Sequence, residues 1–198
     1  MKKIEIRKKS PSLFVIAGPN GSGKTTFAMT FLPEIATVNF INADLIAGGL
    51  SPLMPSTAAI EAGKLFLKKI VGHAEKRENF AFETTLAGLT HVRFLRKLKK
   101  MNYRIYLIFL WISSPELALK RVADRVRRGG HDIPEKDLRR RYHRGISNFF
   151  KVYLELCDTA VVFDNSGSNP RMIAVHAGKN NVIIDDEVYR SMTSGEMK

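Results

Sequence analysis

Hydrophobic and polar positions change rhythm several times along residues 13–163. Short runs rich in β-branched and aromatic residues predict strands at 13–17, 37–41, 80–82, 103–112 and 159–163. Between them, apolar residues recur at helical spacing. Phe27, Met29, Phe31 and Leu32 mark a first helix, which Pro33 and Glu34 end. Ser56 or Thr57 caps a second, with Ile60, Leu65, Phe66, Leu67, Ile70 and Val71 on or near its apolar face. Thr90 caps a basic helix whose core side is Val92, Leu95, Leu98 and Met101. Ser114-Pro115-Glu116 opens the next with a hydroxyl cap, a first-turn proline and an acid near the dipole, and Gly129-Gly130 close it. The turn His131-Asp132-Ile133-Pro134, with Asp132 and Glu135 spaced as a capping pair, leads into a long helix over 135–156.

This alternation predicts one α/β domain over residues 1–198, with a right-handed, mostly parallel five-stranded sheet and helices on both faces. The fourth strand, almost wholly apolar, belongs at its centre. Residues 1–11 are a polar lead-in that could add a short edge strand, and 171–185 form a C-terminal β-hairpin. Ligands in such folds bind beyond the carboxyl ends of the strands. Asp44, Glu83 and the turn after Trp111 therefore share one rim.

That rim acquires chemistry from Gly18-Pro19-Asn20-Gly21-Ser22-Gly23-Lys24-Thr25, which fits the phosphate-cradling G-x-x-x-x-G-K-[ST] loop. A strand delivers the chain to a turn whose glycines let backbone N–H groups converge on an anion. The helix starting at Lys24 adds the positive end of its dipole. Lys24 can reach the β- and γ-phosphates of a nucleotide, and the Thr25 hydroxyl can hold Mg²⁺. Asp44 lies about one βα unit further on, where a carboxylate can orient and deprotonate an acceptor hydroxyl; capping the following helix is its structural alternative. Glu83, at the end of a strand, is placed to contact metal through water or to bind the acceptor, with Thr84 and Thr85 as weaker polar contacts.

Composition narrows the partners. Hydrophobic residues make up 44% of the 198, ordinary for a globular chain, and the longest apolar run has only strand length. One cysteine, Cys157, excludes an internal disulfide and fits a reducing cytoplasm; the first residues contain no apolar signal-peptide core. No His/Cys cluster suggests zinc, His73, His91, His143 and His176 read as surface or capping residues, and Trp111 reads as core. The formal charge of +13 favours anionic ligands. Its basic residues crowd into 93–151, and those of 93–100 read first as a solvated helix face. Two arginine-bearing helices joined at Gly129-Gly130 suit a lid over 121–145. Arg125 and Arg141 are the arginines expected on the phosphates, with Arg128 and Arg140 behind them.

Three further stretches give the chain a family resemblance. Asn42-Ala43-Asp44, Phe82-Glu83-Thr84-Thr85-Leu86-Ala87-Gly88 and Arg128-Gly129-Gly130-His131-Asp132-Ile133-Pro134-Glu135 followed by Arg140-Arg141-Tyr142 stand with the phosphate loop through Thr26. Together with Asp164-Asn165-Ser166 they resemble the zeta-toxin-like P-loop kinases. The resemblance implies a kinase fold using ATP and Mg²⁺, with Asp44 as base, Glu83 on substrate or metal, the lid arginines on the phosphates, and Asp164-Asn165 near the nucleotide base. It raises UDP-N-acetylglucosamine as the acceptor and an antitoxin protein as partner, although no segment here identifies one. The reading is an ATP-dependent kinase of a small, anionic acceptor, acting neither on nucleic acid nor at a membrane. A nucleotide hydrolase and a nucleotide-switched RNA- or protein-binding module are the alternatives.

Overall fold

A computed structural model describes residues 10–35, 39–130, 132–178 and 180–194. The expected lead-in before Ser10, the Thr37-Val38 start of the second strand, His131 and Lys179 lie outside the described residues. Strands β1 (Ser12–Ala17), β2 (Phe40–Ile41), β3 (Phe80–Thr84), β4 (Arg104–Trp111) and β5 (Thr159–Asp164) run parallel. β6 (Arg171–Ala177) and β7 (Asn180–Ile183) continue the same sheet antiparallel, giving the order β2-β3-β1-β4-β5-β6-β7. The sheet therefore has seven strands rather than five. The C-terminal hairpin joins it because β5 offers an open edge, and pairing satisfies that edge's backbone groups.

The helices are α1 (Lys24–Glu34), α2 (Ala43–Leu50), α3 (Ala59–Glu75), α4 (Val92–Lys100), α5 (Pro115–Arg127) and α6 (Glu135–Asn148). α6 passes through a π-helical segment, Phe149–Tyr153, into a last turn, α7 (Leu154–Leu156), and α8 (Asp186–Ser194) follows the hairpin. The Ser114 cap forms as expected, its Oγ accepting the Leu117 N–H at 3.1 Å. Three other expected caps do not form. A 3₁₀ turn, Pro55–Ala58, precedes α3, so Thr57 bonds Met54 and Ser51 instead of the helix start. α4 starts after His91 rather than Thr90, without a side-chain cap. Asp132 accepts the neighbouring Ile133 N–H, leaving Pro134 at the start of α6. Ile60 is exposed, because α3 turns Ala62, Phe66, Ile70 and Ala74 inward.

Two features of this fold position the site. β1 lies between β3 and β4, with Ala17 opposite Thr84 on one side and Phe109 on the other. The loop leaving β1 thus emerges beside Glu83 and Leu110. The second feature is the clamp of α6 on the Glu83–Gly88 segment. Gly145 faces the Thr85 carbonyl, Asn148 Nδ2 donates to Leu86 O at 2.7 Å, and Tyr153 Oη donates to Gly88 O at 2.6 Å. The i→i+5 bonding of the π segment turns residues five apart, such as Asn148 and Tyr153, toward one face. Buried Leu138, Tyr142 and Ile146 seat α6 on the core, and Tyr142 Oη donates to Ile112 O at 2.6 Å.

A methyl group at Gly145 would stand 2.4 Å from the Thr85 carbonyl oxygen, a backbone atom that cannot step aside. Gly→Ala in a helix interior ordinarily stabilises by up to about 1 kcal/mol. Here Gly145→Ala is expected to destabilise by about 1–3 kcal/mol, read as a lower urea midpoint at unchanged m-value.

Candidate active site

The phosphate loop is built from conformations that its glycines supply. Gly18 has φ +143°, and a Cβ there would lie 2.2 Å from the Leu110 carbonyl oxygen. Gly23, at φ +81°, precedes α1 and leaves the first amides of that helix without a side-chain cap. Ser22 Oγ is buried with no hydrogen-bond partner among the described residues. A hydroxyl donor without a partner beside open helix amides is a set of groups suited to an anion.

Lys24 opens α1 and is buried, only 6% exposed. Its Nζ donates to Pro19 O at 2.8 Å and lies 3.6 Å from Glu83 Oε1. Burial pushes the Lys24 ammonium below its ordinary range; the Glu83 and Asp44 carboxylates oppose that, and the Arg125 guanidinium adds to it. Glu83 is held from two further sides. Thr25 Oγ1 donates to its Oε2 at 2.7 Å and Asn42 Nδ2 donates to the same oxygen at 2.6 Å. Asn42 Oδ1 meanwhile accepts the Asp44 and Leu45 N–H groups at 2.8 and 3.1 Å, capping α2. One amide side chain thus couples the cap of α2 to the carboxylate of β3. Asn42, not Asp44, is the cap, which leaves the Asp44 carboxylate available to the site.

Lys24, Asp44, Glu83 and Arg141 line one cavity of about 160 Å³, together with Asn20, Asn42, Thr84, Thr85 and Ile133. Arg141 reaches it from α6, 58 residues downstream of Glu83. A second cavity, of about 560 Å³, opens between Gly23, Thr26 and Phe27 of the α1 side and Asn165 with Gly167 to Pro170. Asn165 ties its two walls, with Nδ2 donating to Ser22 O at 2.7 Å. Arg125 and Arg128 are not in the first cavity; they line a third, of about 390 Å³, with Arg121, Asp124 and Gly130. Arg140 is turned to Asp137 on the surface, at 2.6 Å.

Two residues that hold the site escaped sequence reasoning in that role. Arg121 donates to the carbonyls of Asn165, Ser166 and Gly167 at 2.8, 2.9 and 3.2 Å, shaping the loop after β5. Its only sequence signal was its place one turn before Arg125. Asn42 carried the better signal, an Asx residue immediately before a helix. Trp111 is core. His91 packs against Phe66 and Phe82, and burial lowers its pKa. No group of three or more metal-ligating His, Cys, Asp or Glu side chains exists among the described residues. Nor is any described helix long and apolar enough to cross a membrane.

The family model "Zeta toxin" matches residues 51–172, more than half of the chain, beginning downstream of the phosphate loop. An uncharacterised protein of Haemophilus influenzae is 30% identical over 125 residues, 63% of this chain and 88% of that one. Among solved structures, the AvrRxo1-ORF1:-ORF2 complex with ATP superposes at TM-score 0.75 and 17% identity, over 96% of this chain. This chain spans 65% of the length of that one. The PezAT toxin-antitoxin system of Streptococcus pneumoniae superposes at TM-score 0.68 and 16% identity, over 96% of this chain and 85% of its own. At these identities the structural likeness is one of fold.

Two outcomes follow from the geometry. Asn42→Ala removes the α2 cap and a donor to Glu83, and should lower stability by about 1–2 kcal/mol, measured by thermal unfolding. Burial pushes the Cys157 thiol up to about 12. Native protein at pH 8.5 should therefore react with iodoacetamide at least about tenfold more slowly than urea-unfolded protein. Because the unfolded thiol ionises first, near 9, the contribution of Cys157 to stability is complete below that pH and is lost as pH rises toward 12.

Proposed function

The chain belongs to the zeta toxin family, and on that premise we propose that it is an ATP-dependent phosphotransferase acting on the hydroxyl of a small, anionic acceptor. The observation that carries this reading is the convergence of Lys24, Asp44, Glu83 and Arg141 on one cavity beside the phosphate loop. A loop lysine alone fits any nucleotide-binding chain. A second carboxylate, free of capping duty and facing the same space, is what an acceptor needs.

ATP fits the residues present. Gly18 to Thr26 would cradle its phosphates, with the buried Ser22 hydroxyl as one donor. Asn165 and the cavity beyond Gly23 would receive its nucleoside end. Thr25 Oγ1, 2.7 Å from Glu83 Oε2, supplies the hard oxygen chemistry that suits Mg²⁺. When bound, that ion neutralises phosphate oxygens.

The roles of the chain's own side chains follow. Asp44 orients the acceptor hydroxyl and takes its proton as the oxygen attacks the γ-phosphorus. The bond from that phosphorus to the β–γ bridging oxygen breaks, and ADP leaves with the electron pair. Lys24 stabilises charge growing on the transferring oxygens from a buried position, where its field is little screened. Arg141 meets the acceptor or the phosphoryl group from α6. Arg125 and Arg128, on the neighbouring cavity, would come into play with movement of the α5–α6 lid. The 160 Å³ cavity admits the reacting end of an acceptor. UDP-N-acetylglucosamine would therefore project from it. An antitoxin partner belongs to the same proposal, by likeness to the PezAT system.

The test is ATP turnover with and without acceptors, UDP-N-acetylglucosamine included, for the wild type, Lys24→Ala and Asp44→Ala. Acceptor-stimulated turnover is expected, reduced at least about a hundredfold in both variants. Turnover indifferent to every acceptor and surviving Asp44→Ala would mean water is the nucleophile.

A further inference from the structure

Outside the nucleotide rim, a cavity of about 690 Å³ lies between α3 and α4. Its floor is apolar: Leu67, Ile70 and Val71 from α3 and Phe94 from α4. Leu67 is 45% exposed, although neighbouring Phe66 and Ile70 are buried. The α4 wall carries Arg93, Arg96, Lys97 and Lys100, and the lining contains no carboxylate. These four positions stand at i, i+3, i+4 and i+7, which on a helix is a single face.

The stripe is not neutralised from within the fold. Lys99, on another side of α4, meets Asp158 at 3.2 Å. Arg139, Arg140 and Arg171 each have a carboxylate at 2.5–2.7 Å. None of Arg93, Arg96, Lys97 and Lys100 meets a carboxylate among the described residues. The pairs 93/97 and 96/100 place like charges at i, i+4, each costing a few tenths of a kcal/mol in helix stability. An apolar channel walled by such a stripe has the complement of an amphipathic helix with acidic residues along one flank. Its apolar anchors would fill the channel, and its carboxylates would climb α4 at the same spacing.

We propose that the α3–α4 groove is a docking site for an acidic amphipathic helix of a partner protein, separate from the nucleotide rim. RNA is the poorer fit. Nucleic acid would use the charge but not an aliphatic floor, and beside Phe94 the lining offers for base stacking only the His91 ring, which already packs against Phe66 and Phe82. The inner end of the groove reaches His91, whose ring centroid lies 5.0 Å from that of Phe82, the residue before Glu83. A docked helix would therefore abut the strand that presents the site carboxylate.

The experiment uses the full chain and a fluorescein-labelled synthetic helix of about four turns, with leucines at i, i+3, i+4 and i+7 and glutamates along one flank. Comparators are its Leu→Ser twin, its Glu→Lys twin and a single-stranded RNA. The acidic amphipathic peptide should bind with strong salt dependence. Arg93→Glu with Lys97→Glu should weaken it at least about tenfold, and Leu67→Ser, an exposed position, about three- to tenfold. Unchanged melting temperatures of these variants would exclude misfolding. The proposal is overturned if the acidic peptide fails to bind, or binds both variants as it binds wild type. It is equally overturned if the Leu→Ser twin binds as well, which would leave charge alone. RNA binding tighter than the peptide and lost in the charge reversal would make the groove a nucleic-acid surface.

Discussion

A lysine ammonium taken out of water must be answered by oppositely charged and hydrogen-bonding groups, and much of this molecule is arranged around that demand at Lys24. Pro19 O answers it from within the loop and Glu83 from the neighbouring strand. Glu83 in turn is fixed by Thr25 and Asn42. The network therefore joins β1, α1, β3 and α2 through side chains at the carboxyl end of the sheet. Removing any member leaves another buried polar group with one partner fewer. The same arrangement gives the site its field, because a balanced but buried charge is poorly screened.

Support for this network comes from the opposite side of the chain. The segment after Glu83 contains Leu86 at φ +56°, a buried residue in a conformation that non-glycine residues seldom adopt. It is held by Gly145, Asn148 and Tyr153, from the part of α6 that passes into π-helix. α6 also carries Arg141 into the cavity and is tied to α5 by Arg139, which bridges Glu116 and Glu135. The helix that closes the site is thus the helix that shapes the strand end within it.

The high positive charge resolves into distinct tasks once side chains have places. Arg121 organises carbonyls of the loop after β5, Arg139 joins two helices, and Arg140 is satisfied locally by Asp137. Arg125, Arg128 and Arg141 border cavities on the nucleotide rim. The stripe on α4 faces an apolar groove with no acidic partner among the described residues, and that contrast with Arg139, Arg140 and Arg171 distinguishes it from ordinary surface charge.

The sequence by itself determined the order of the strands and of the helices α1 and α3 to α6, the parallel core of the sheet, the phosphate loop and the strand-end position of Glu83. Each is written in local pattern: a period of two or 3.6, glycines where φ is positive, Pro and Ser at a helix start. α2, whose Gly48-Gly49 reads as loop, and α8 were not legible in the sequence. Local pattern misled where several hydroxyls could cap one helix, as at Ser56, Thr57 and Thr90, because neighbouring backbone geometry decides which of them bonds. It was silent on what joins distant segments. That the hairpin extends the sheet to seven strands, that Arg125 lines a cavity apart from Arg141, and that Arg121 organises the loop after β5 were decided only by tertiary structure. Of the neighbours Arg140 and Arg141, the sequence favours Arg141, and it is Arg141 that lines the cavity. Adjacent arginines have the same chemistry in sequence. A helical turn of about 100° per residue then separates their fates, turning one toward the cavity and the other toward solvent.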